Sequence, residues 1–216
     1  MQTGPIEGEI VMSGSEASSI EINGARLFPG ALGNAAQIAI VNALRKVASD
    51  APLFHPETAR GQKMSVRMTS AGSLGWVSDR RGYRYEPTHP QGMSWPGIPS
   101  EVLDVWHRFS GVDRAPDSCL INYYGPKARM GLHQDRDEAD LTWPVVSISL
   151  GDDALFRIGG QTRGGPTQSV WLSSGDVVVL AGAARLAYHG IDRLRPGTST
   201  LLPQGGRINV TLRVAG

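Results

Sequence analysis

The chain has 216 residues, 40% hydrophobic and 19% charged, with a formal net charge of +1. That length suits one domain with a substantial core, the composition fits a soluble globular protein, and the overall charge gives no argument for a nucleic-acid partner. Cys119 is the only cysteine, which excludes an internal disulfide and a Cys-based zinc site. No apolar run approaches the length of a membrane span, and the start of the chain has no basic segment followed by an apolar core, so a reducing, cytoplasmic setting is expected.

Taken in chain order, residues 1–25 are polar and Gly/Ser-rich and read as a loosely held arm with one edge strand around Ile20-Glu21-Ile22. Residues 26–216 are expected to form a single domain. From about Ala31 to Ser49, Leu32, Ala35, Ala36, Ile38, Ala39, Leu44 and Val47 recur at helical spacing, which predicts an amphipathic helix packed on a sheet. The segment of about 57–90 concentrates positive charge: Arg60, Lys63, Arg67, Arg80, Arg81 and Arg84 stand against Glu57, Asp79 and Glu86, with Trp76, Tyr83 and Tyr85 interleaved. A second helix is expected after Pro99, burying Val102, Val105, Trp106 and Phe109 and ending before Gly111.

Beyond Ser118 the pattern changes to short strands: Ser118–Tyr124, Pro144–Leu150, Ala154–Ile158, Gln168–Leu172, Val177–Ala181, Leu186–His189 and Arg207–Val214, with Gly/Pro/Ser turns between them. Two helices followed by a run of strands predict an α+β fold with a double-stranded β-helix (jelly roll) core, supporting N-terminal helices and a lid.

Within this frame, His133-Gln134-Asp135 and a later His189 offer two imidazoles and a carboxylate, a set that holds Fe(II) on one octahedral face and leaves three positions open. In a strand, His133 and Asp135 would share a face. The same period puts Arg207, Asn209, Thr211 and Arg213 on one face of the last strand and Ile208, Val210, Leu212 and Val214 on the other. Two arginines at this spacing, roughly 20 Å apart along the backbone at ~3.3 Å per residue, can close through their long side chains on the two ends of a dicarboxylate. The guanidinium fork suits that task better than a lysine. Asn122 and Tyr124, again two residues apart, can add hydrogen bonds from a facing strand. An oxygenase that consumes a 2-keto acid and O2 follows from these residues together, whereas His-x-Asp alone is a weak signal and Trp76, Tyr83 and Asp137 alone read as packing or solvated loop.

Several blocks, in order, resemble the AlkB family of Fe(II)- and 2-oxoglutarate-dependent nucleic-acid demethylases. They include Met64-Ser-Val-Arg-Met68-Thr, Leu74-Gly-Trp76, Cys119-Leu-Ile-Asn122-Tyr-Tyr124, Leu132-His133-Gln-Asp135-Arg-Asp137-Glu138, Arg185-Leu-Ala-Tyr-His189-Gly-Ile191 and Arg207-Ile-Asn-Val-Thr-Leu-Arg213. The likeness runs from about Leu27 to the C-terminus. It implies His133, Asp135 and His189 as catalytic iron ligands, and Asn122, Tyr124, Arg207, Asn209 and Arg213 as 2-oxoglutarate contacts. It further implies Thr58, Met68, Trp76, Tyr83, Asp137 and Arg163 around the substrate, with His133 also near the base and Gln62 and Arg67 in the variable lid.

The activity so implied is oxidative demethylation of bases such as 1-methyladenine and 3-methylcytosine in DNA, with RNA as the second candidate, and release of formaldehyde. Fe(II), 2-oxoglutarate and O2 are the expected cofactors and co-substrates. An alkylated single strand is the expected partner of a monomer that binds no membrane. Two alternatives stand beside it: the same chemistry on tRNA, a protein or a small metabolite, and a cupin-like metal-binding module without catalysis.

Overall fold

The computed structural model describes residues 18–216. Two facing β-sheets form the core. One has seven strands in the order β1 (Ile20–Ile22), β2 (Ala25–Phe28), β11 (Val177–Leu180), β8 (Val145–Gly151), β13 (Arg207–Arg213), β6 (Ser118–Tyr124) and β3 (Arg67–Gly72). The other has four, in the order β10 (Thr167–Leu172), β9 (Asp153–Gly159), β12 (His189–Arg195) and β7 (Met130–His133). The expected jelly roll is therefore present. A separate two-stranded hairpin, β4 (Gly75–Asp79) with β5 (Gly82–Glu86), lies within the segment expected to form the lid, packs beside β3 and β6, and lends Trp76, Tyr83 and Tyr85 to the cavity lining.

The seven-stranded sheet is covered on both faces, and where both sides of a strand are apolar, as in β11, the sequence is a continuous apolar run. In β11, Val177 and Val179 join the cluster beneath the helices, while Val178 and Leu180 turn into the space between the sheets. The outer cluster packs α1 (Asn34–Asp50), through Ile40, Val41, Leu44 and Val47, and α2 (Ser100–Phe109), through Val102, Val105, Trp106 and Phe109. α2 buries the four residues expected from apolar spacing. α1 lies where expected but buries another face: of the expected positions Leu44 and Val47 are buried, whereas Ala35, Ala36 and Ile38 are exposed, Ile40 and Val41 take their place, and Leu32 precedes the helix. Covering one face with helices leaves the other free to face the small sheet, and a cavity survives between the two sheets because polar side chains occupy that face.

Three readings of the sequence need adjustment. The strand expected at Leu186–His189 begins only at His189 and runs to Arg195; Gly182–Ala184 is instead a turn of 3-10 helix. Its residues gave no signal because β12 alternates charged Asp192, Arg193 and Arg195 with apolar Ile191 and Leu194. Asp135 is not on a strand at all, since β7 ends at His133. The edge strand in the arm is β1, but residues 1–17 lie outside those described. No helix among the described residues is long and apolar enough to cross a membrane.

Candidate metal and co-substrate site

His133 and His189 arrive on adjacent strands. β7 and β12 pair antiparallel with these two residues directly opposite each other, and their rings lie 4.6 Å apart between centroids. The strands meet this closely because residue 190 is glycine: a Cβ there would come within 2.5 Å of the Met130 carbonyl oxygen and 2.7 Å of that of Gly131. Each imidazole donates from Nδ1 to a backbone carbonyl, His133 to Gly131 and His189 to Ala187, both at 2.9 Å. That bond fixes the tautomer in which Nε2 carries the free lone pair. Burial, with the neighbouring His133, pulls the His189 pKa down to about 4, against the opposing pull of Asp135, so its ring is neutral at physiological pH and ready to ligate.

Asp135 completes the cluster. Its carboxylate oxygens lie 3.8 Å from each Nε2, and the donor atoms of all three residues fall within 4.8 Å of one another. Because Asp135 sits just past the strand, other groups hold it. Arg213 Nη2 donates to its Oδ2 at 2.8 Å, and Arg185 Nη1 donates to its backbone carbonyl at 2.6 Å. Burial raises the carboxyl pKa, but Arg213 and then the two imidazoles outweigh it and hold the group well below the usual carboxylate range. The set expected from the sequence thus converges, although not by the shared strand face that the i, i+2 spacing suggested.

Beside it runs a slot walled by β13 and β6. The register places Arg207 opposite Tyr124 and Asn209 opposite Asn122. The alternation on β13 holds: Arg207, Asn209, Thr211 and Arg213 face a cavity of about 550 Å³, while Val210 and Leu212 enter the core beneath the helices. Both guanidinium groups point inward and are almost fully buried. Arg207 Nη2 donates to Ser149 Oγ at 2.9 Å, but its Nε and Nη1 have no partner, nor do Arg213 Nη1 and Asn122 Oδ1. Orphaned polar atoms of this kind are costly in a dry interior, and the three residues that carry them line one cavity. A dicarboxylate with one end near the His/Asp cluster supplies the missing acceptors, so the residues present fit 2-oxoglutarate and a ferrous ion. Burial pushes the Tyr124 phenol up to about 12, with Arg207 opposing, so it stays a hydrogen-bond donor beside the slot.

Of the residues expected around the substrate, Met68, Trp76, Tyr83, Asp137 and Arg163 line the same cavity. Thr58 does not; it sits in the loop before β3, where its Oγ1 accepts from the Gln62 backbone N–H at 3.2 Å. Trp76 Nε1 donates to Asp137 Oδ2 at 2.9 Å, and Tyr83 lies 5.4 Å from the Trp76 ring at 31°.

The positive charge of the lid is smaller than its composition suggests. Arg81 and Arg84 pair with Asp79, Arg84 also with Glu86, and Arg67 stacks on Tyr123 at 4.7 Å, on the far side of the sheet from the cavity. Exposed Arg129, Arg136 and Arg163 contribute cations to the cavity mouth instead.

Sequence reasoning missed Tyr85, Glu138 and Arg185 as working residues. Glu138, with only 1% of its side chain exposed, receives Tyr85 Oη at 2.7 Å and Arg185 Nη2 at 3.1 Å. The only available signal was that Glu138 and Arg185 fall inside the blocks that match the AlkB family.

A family model described as the 2OG-Fe(II) oxygenase superfamily matches residues 24–213. The chain is 55% identical over 195 residues to the alpha-ketoglutarate-dependent dioxygenase AlkB homolog of Caulobacter vibrioides, covering 90% of this chain and 89% of that protein. It is 43% identical over 182 residues to the alpha-ketoglutarate-dependent dioxygenase AlkB of Escherichia coli, covering 82% and 84%. The solved structure of OsALKBH1 superposes with a TM-score of 0.74 at 29% identity, over 90% of this chain and 97% of that one. With a ligand cluster and an arginine-lined slot in one jelly-roll cavity, the chain belongs to the AlkB family of Fe(II)- and 2-oxoglutarate-dependent dioxygenases.

Proposed function

We propose that this chain removes N-linked methyl groups from nucleobases such as 1-methyladenine and 3-methylcytosine in single-stranded DNA or RNA, releasing formaldehyde. The observation that carries the reading is the mouth of the cavity. An indole face (Trp76), fixed by a carboxylate (Asp137), stands at the entrance to a pocket whose floor holds His133, Asp135 and His189. Methylation at N1 of adenine or N3 of cytosine leaves a cationic ring. Trp76 can stack on that ring with cation–π attraction, and Asp137 can offset its charge.

His133, Asp135 and His189 would hold Fe(II), and Asn122, Tyr124, Arg207, Asn209 and Arg213 would hold 2-oxoglutarate. When bound, these supply oxidation of the methyl group by O2, coupled to decarboxylation of the co-substrate to succinate and CO2. The protein's own part is positional. Arg207 and Arg213 would fix the co-substrate at its two ends, and His133 and His189, each donating from Nδ1 to a backbone carbonyl, would offer Nε2 to the metal. Trp76 and Tyr83 steer the flipped base, since an atom on the Watson–Crick edge is reached only outside the stack. Arg129, Arg136 and Arg163 bind phosphates without reading sequence. Met68 lines the wall of the base pocket, and Thr58 would meet the strand only at the lid's outer edge. We read the enzyme as a cytoplasmic monomer, consistent with a setting in which ferrous iron persists and Cys119 stays reduced.

A panel of methylated DNA and RNA oligonucleotides, single- and double-stranded, assayed for formaldehyde and succinate, tests the proposal. Single strands carrying cationic N-methyl lesions should be the preferred substrates. His133→Ala should abolish turnover with its circular dichroism spectrum preserved. Succinate without formaldehyde on every oligonucleotide would move the substrate to another class, and wild-type turnover by His133→Ala would refute the ligand assignment.

A further inference from the structure

The lid touches the floor of the site through two consecutive carboxylates. Trp76 on β4 and Tyr85 on β5 are register partners, so their side chains leave the same face of the hairpin. Trp76 reaches Asp137 and Tyr85 reaches Glu138, the second and third residues after the candidate metal ligand Asp135. The first contact is exposed and part of the substrate entrance. The second is inside, and it leads elsewhere.

Glu138 Oε1 receives Tyr85 Oη at 2.7 Å and lies 3.2 Å from Arg213 Nε, an ionic contact whose angle falls short of a hydrogen bond. Its Oε2 receives Arg185 Nη2. Arg185 in turn holds the Asp135 carbonyl from Nη1 and the Trp143 carbonyl from Nε, at 2.6 and 2.7 Å. Two carboxylates and two guanidinium groups are thus packed out of water as one cluster, a state that survives only when every charge is matched and directed. The cluster sets the rotation of the Arg213 fork. With Nη2 on Asp135 and Nε beside Glu138, only Nη1 is left without any partner, on a side chain that lines the cavity. Tyr85 is the one member supplied by the lid.

We infer that Tyr85 is a positioning residue that ties the lid hairpin to the co-substrate grip, acting through Glu138 on Arg213. The inference rests on the assignment of Arg213 to 2-oxoglutarate made above. With the hairpin seated, Glu138 is fully engaged and Arg213 presents Nη1 at a fixed angle. With the hairpin lifted, Glu138 loses its phenol donor, the cavity gains water, and the fork is free to swing toward the carboxylate it shares with Arg185. Lid closure and co-substrate binding therefore favour each other, and that coupling is reciprocal.

The test uses the full chain loaded with Mn(II), which occupies the site without turnover, and contains no nucleic acid. Tyr85→Phe removes one hydroxyl and keeps the ring. Calorimetric titration should show 2-oxoglutarate binding weakened by about tenfold, the scale of one hydrogen bond to a charged group, with the melting temperature lowered by a few degrees and the circular dichroism spectrum unchanged. In the wild-type protein, 2-oxoglutarate should slow amide hydrogen exchange across residues 75–86, and in Tyr85→Phe that protection should vanish. A dissociation constant within twofold of wild type would overturn the coupling. So would lid exchange that ignores 2-oxoglutarate in the wild-type protein, a result that stands even if the variant fails to fold. Failure of the oligonucleotide panel leaves these readouts untouched, whereas wild-type protein that binds no 2-oxoglutarate sinks the underlying assignment and not the latch alone.

Discussion

Arg207→Met should make the ligand-free protein more stable and blind to 2-oxoglutarate. Arg207 is 1% exposed, and burial lowers its pKa, a sign that its charge is held at a cost. Two of its buried donors, Nε and Nη1, have no acceptor, each costing roughly 1–3 kcal/mol. Against this stand one hydrogen bond to Ser149 and a cation–π contact 5.4 Å above the Tyr124 ring, together about 1–3 kcal/mol. Methionine of similar length removes both sides of that account, and replacing buried charge by apolar volume is commonly neutral or stabilising by about 1–4 kcal/mol. A net gain of about 2 kcal/mol corresponds to roughly 4–8 °C in a domain of this size. Adding 2-oxoglutarate at about 1,000 times its dissociation constant stabilises the wild-type Mn(II) protein by about 4 kcal/mol and the variant by almost nothing. The order of the two melting curves should therefore invert on adding the co-substrate. A variant that melts below wild type alone, yet gains as much from 2-oxoglutarate, would refute the idea that the orphaned donors exist for that ligand.

Two further outcomes follow from buried titratable groups. In the metal-free protein His189 has its pKa lowered to about 4 from 6.5, chiefly by burial. Between those values the unfolded chain binds the extra proton, so the contribution to stability is present above pH 6.5 and is lost as pH falls toward 4, by at most on the order of 3 kcal/mol. Urea midpoints measured from pH 7 to 4 should fall accordingly, and His189→Gln should flatten the slope; an equal slope in the variant would contradict the assignment. Cys119 is completely buried and its thiol is pushed up to about 12 by that burial. A thiol-specific reagent at pH 8 should label it only as fast as the domain opens globally, and rapid labelling of folded protein would show that the core under β6 is looser than its packing indicates.

What the sequence reveals here depends on how far a residue's partners lie along the chain. The β13 ladder was legible because every second side chain has the same task, three core aliphatics on one side and four polar groups on the other, and a period of two exposes that directly. α2 was legible for the analogous reason at a period of 3.6, whereas α1 was legible as a helix but not in its buried face, because alanines and isoleucines surround it and Ile38 is exposed while Ile40 is buried. β3 was not, because Met68, Thr69, Ser70 and Ala71 are all buried and mix polar with apolar types. The His133 and Asp135 pairing was reached through a strand geometry that does not exist; the residues converge because Arg213 and Arg185 hold Asp135 in the irregular segment after β7. The link between Tyr85, Glu138 and Arg185 could not be read, since their contacts join positions 47 to 53 residues apart with no local periodicity.

That last failure bears on how the site is built. β13 lies inside the large sheet, paired on both edges to β8 and β6, and β12 pairs with β7 and β9. Arg207, Arg213, Asn209, His133 and His189 therefore inherit their positions from backbone ladders. Asp135 has no such support, and its carboxylate is placed by a side chain, Arg213, that also belongs to the co-substrate slot. The arrangement avoids conflict because the guanidinium has more donors than Asp135 needs: Nη2 holds the ligand carboxylate while Nη1 stays unclaimed. A co-substrate carboxylate can thus bind without Arg213 letting go of Asp135, and the donors it meets are already oriented. Preorganisation of that kind lowers the entropic cost of binding. It holds only while Glu138 keeps the fork from rotating, which makes one buried carboxylate outside the ligand cluster a determinant of both Asp135 and the co-substrate grip.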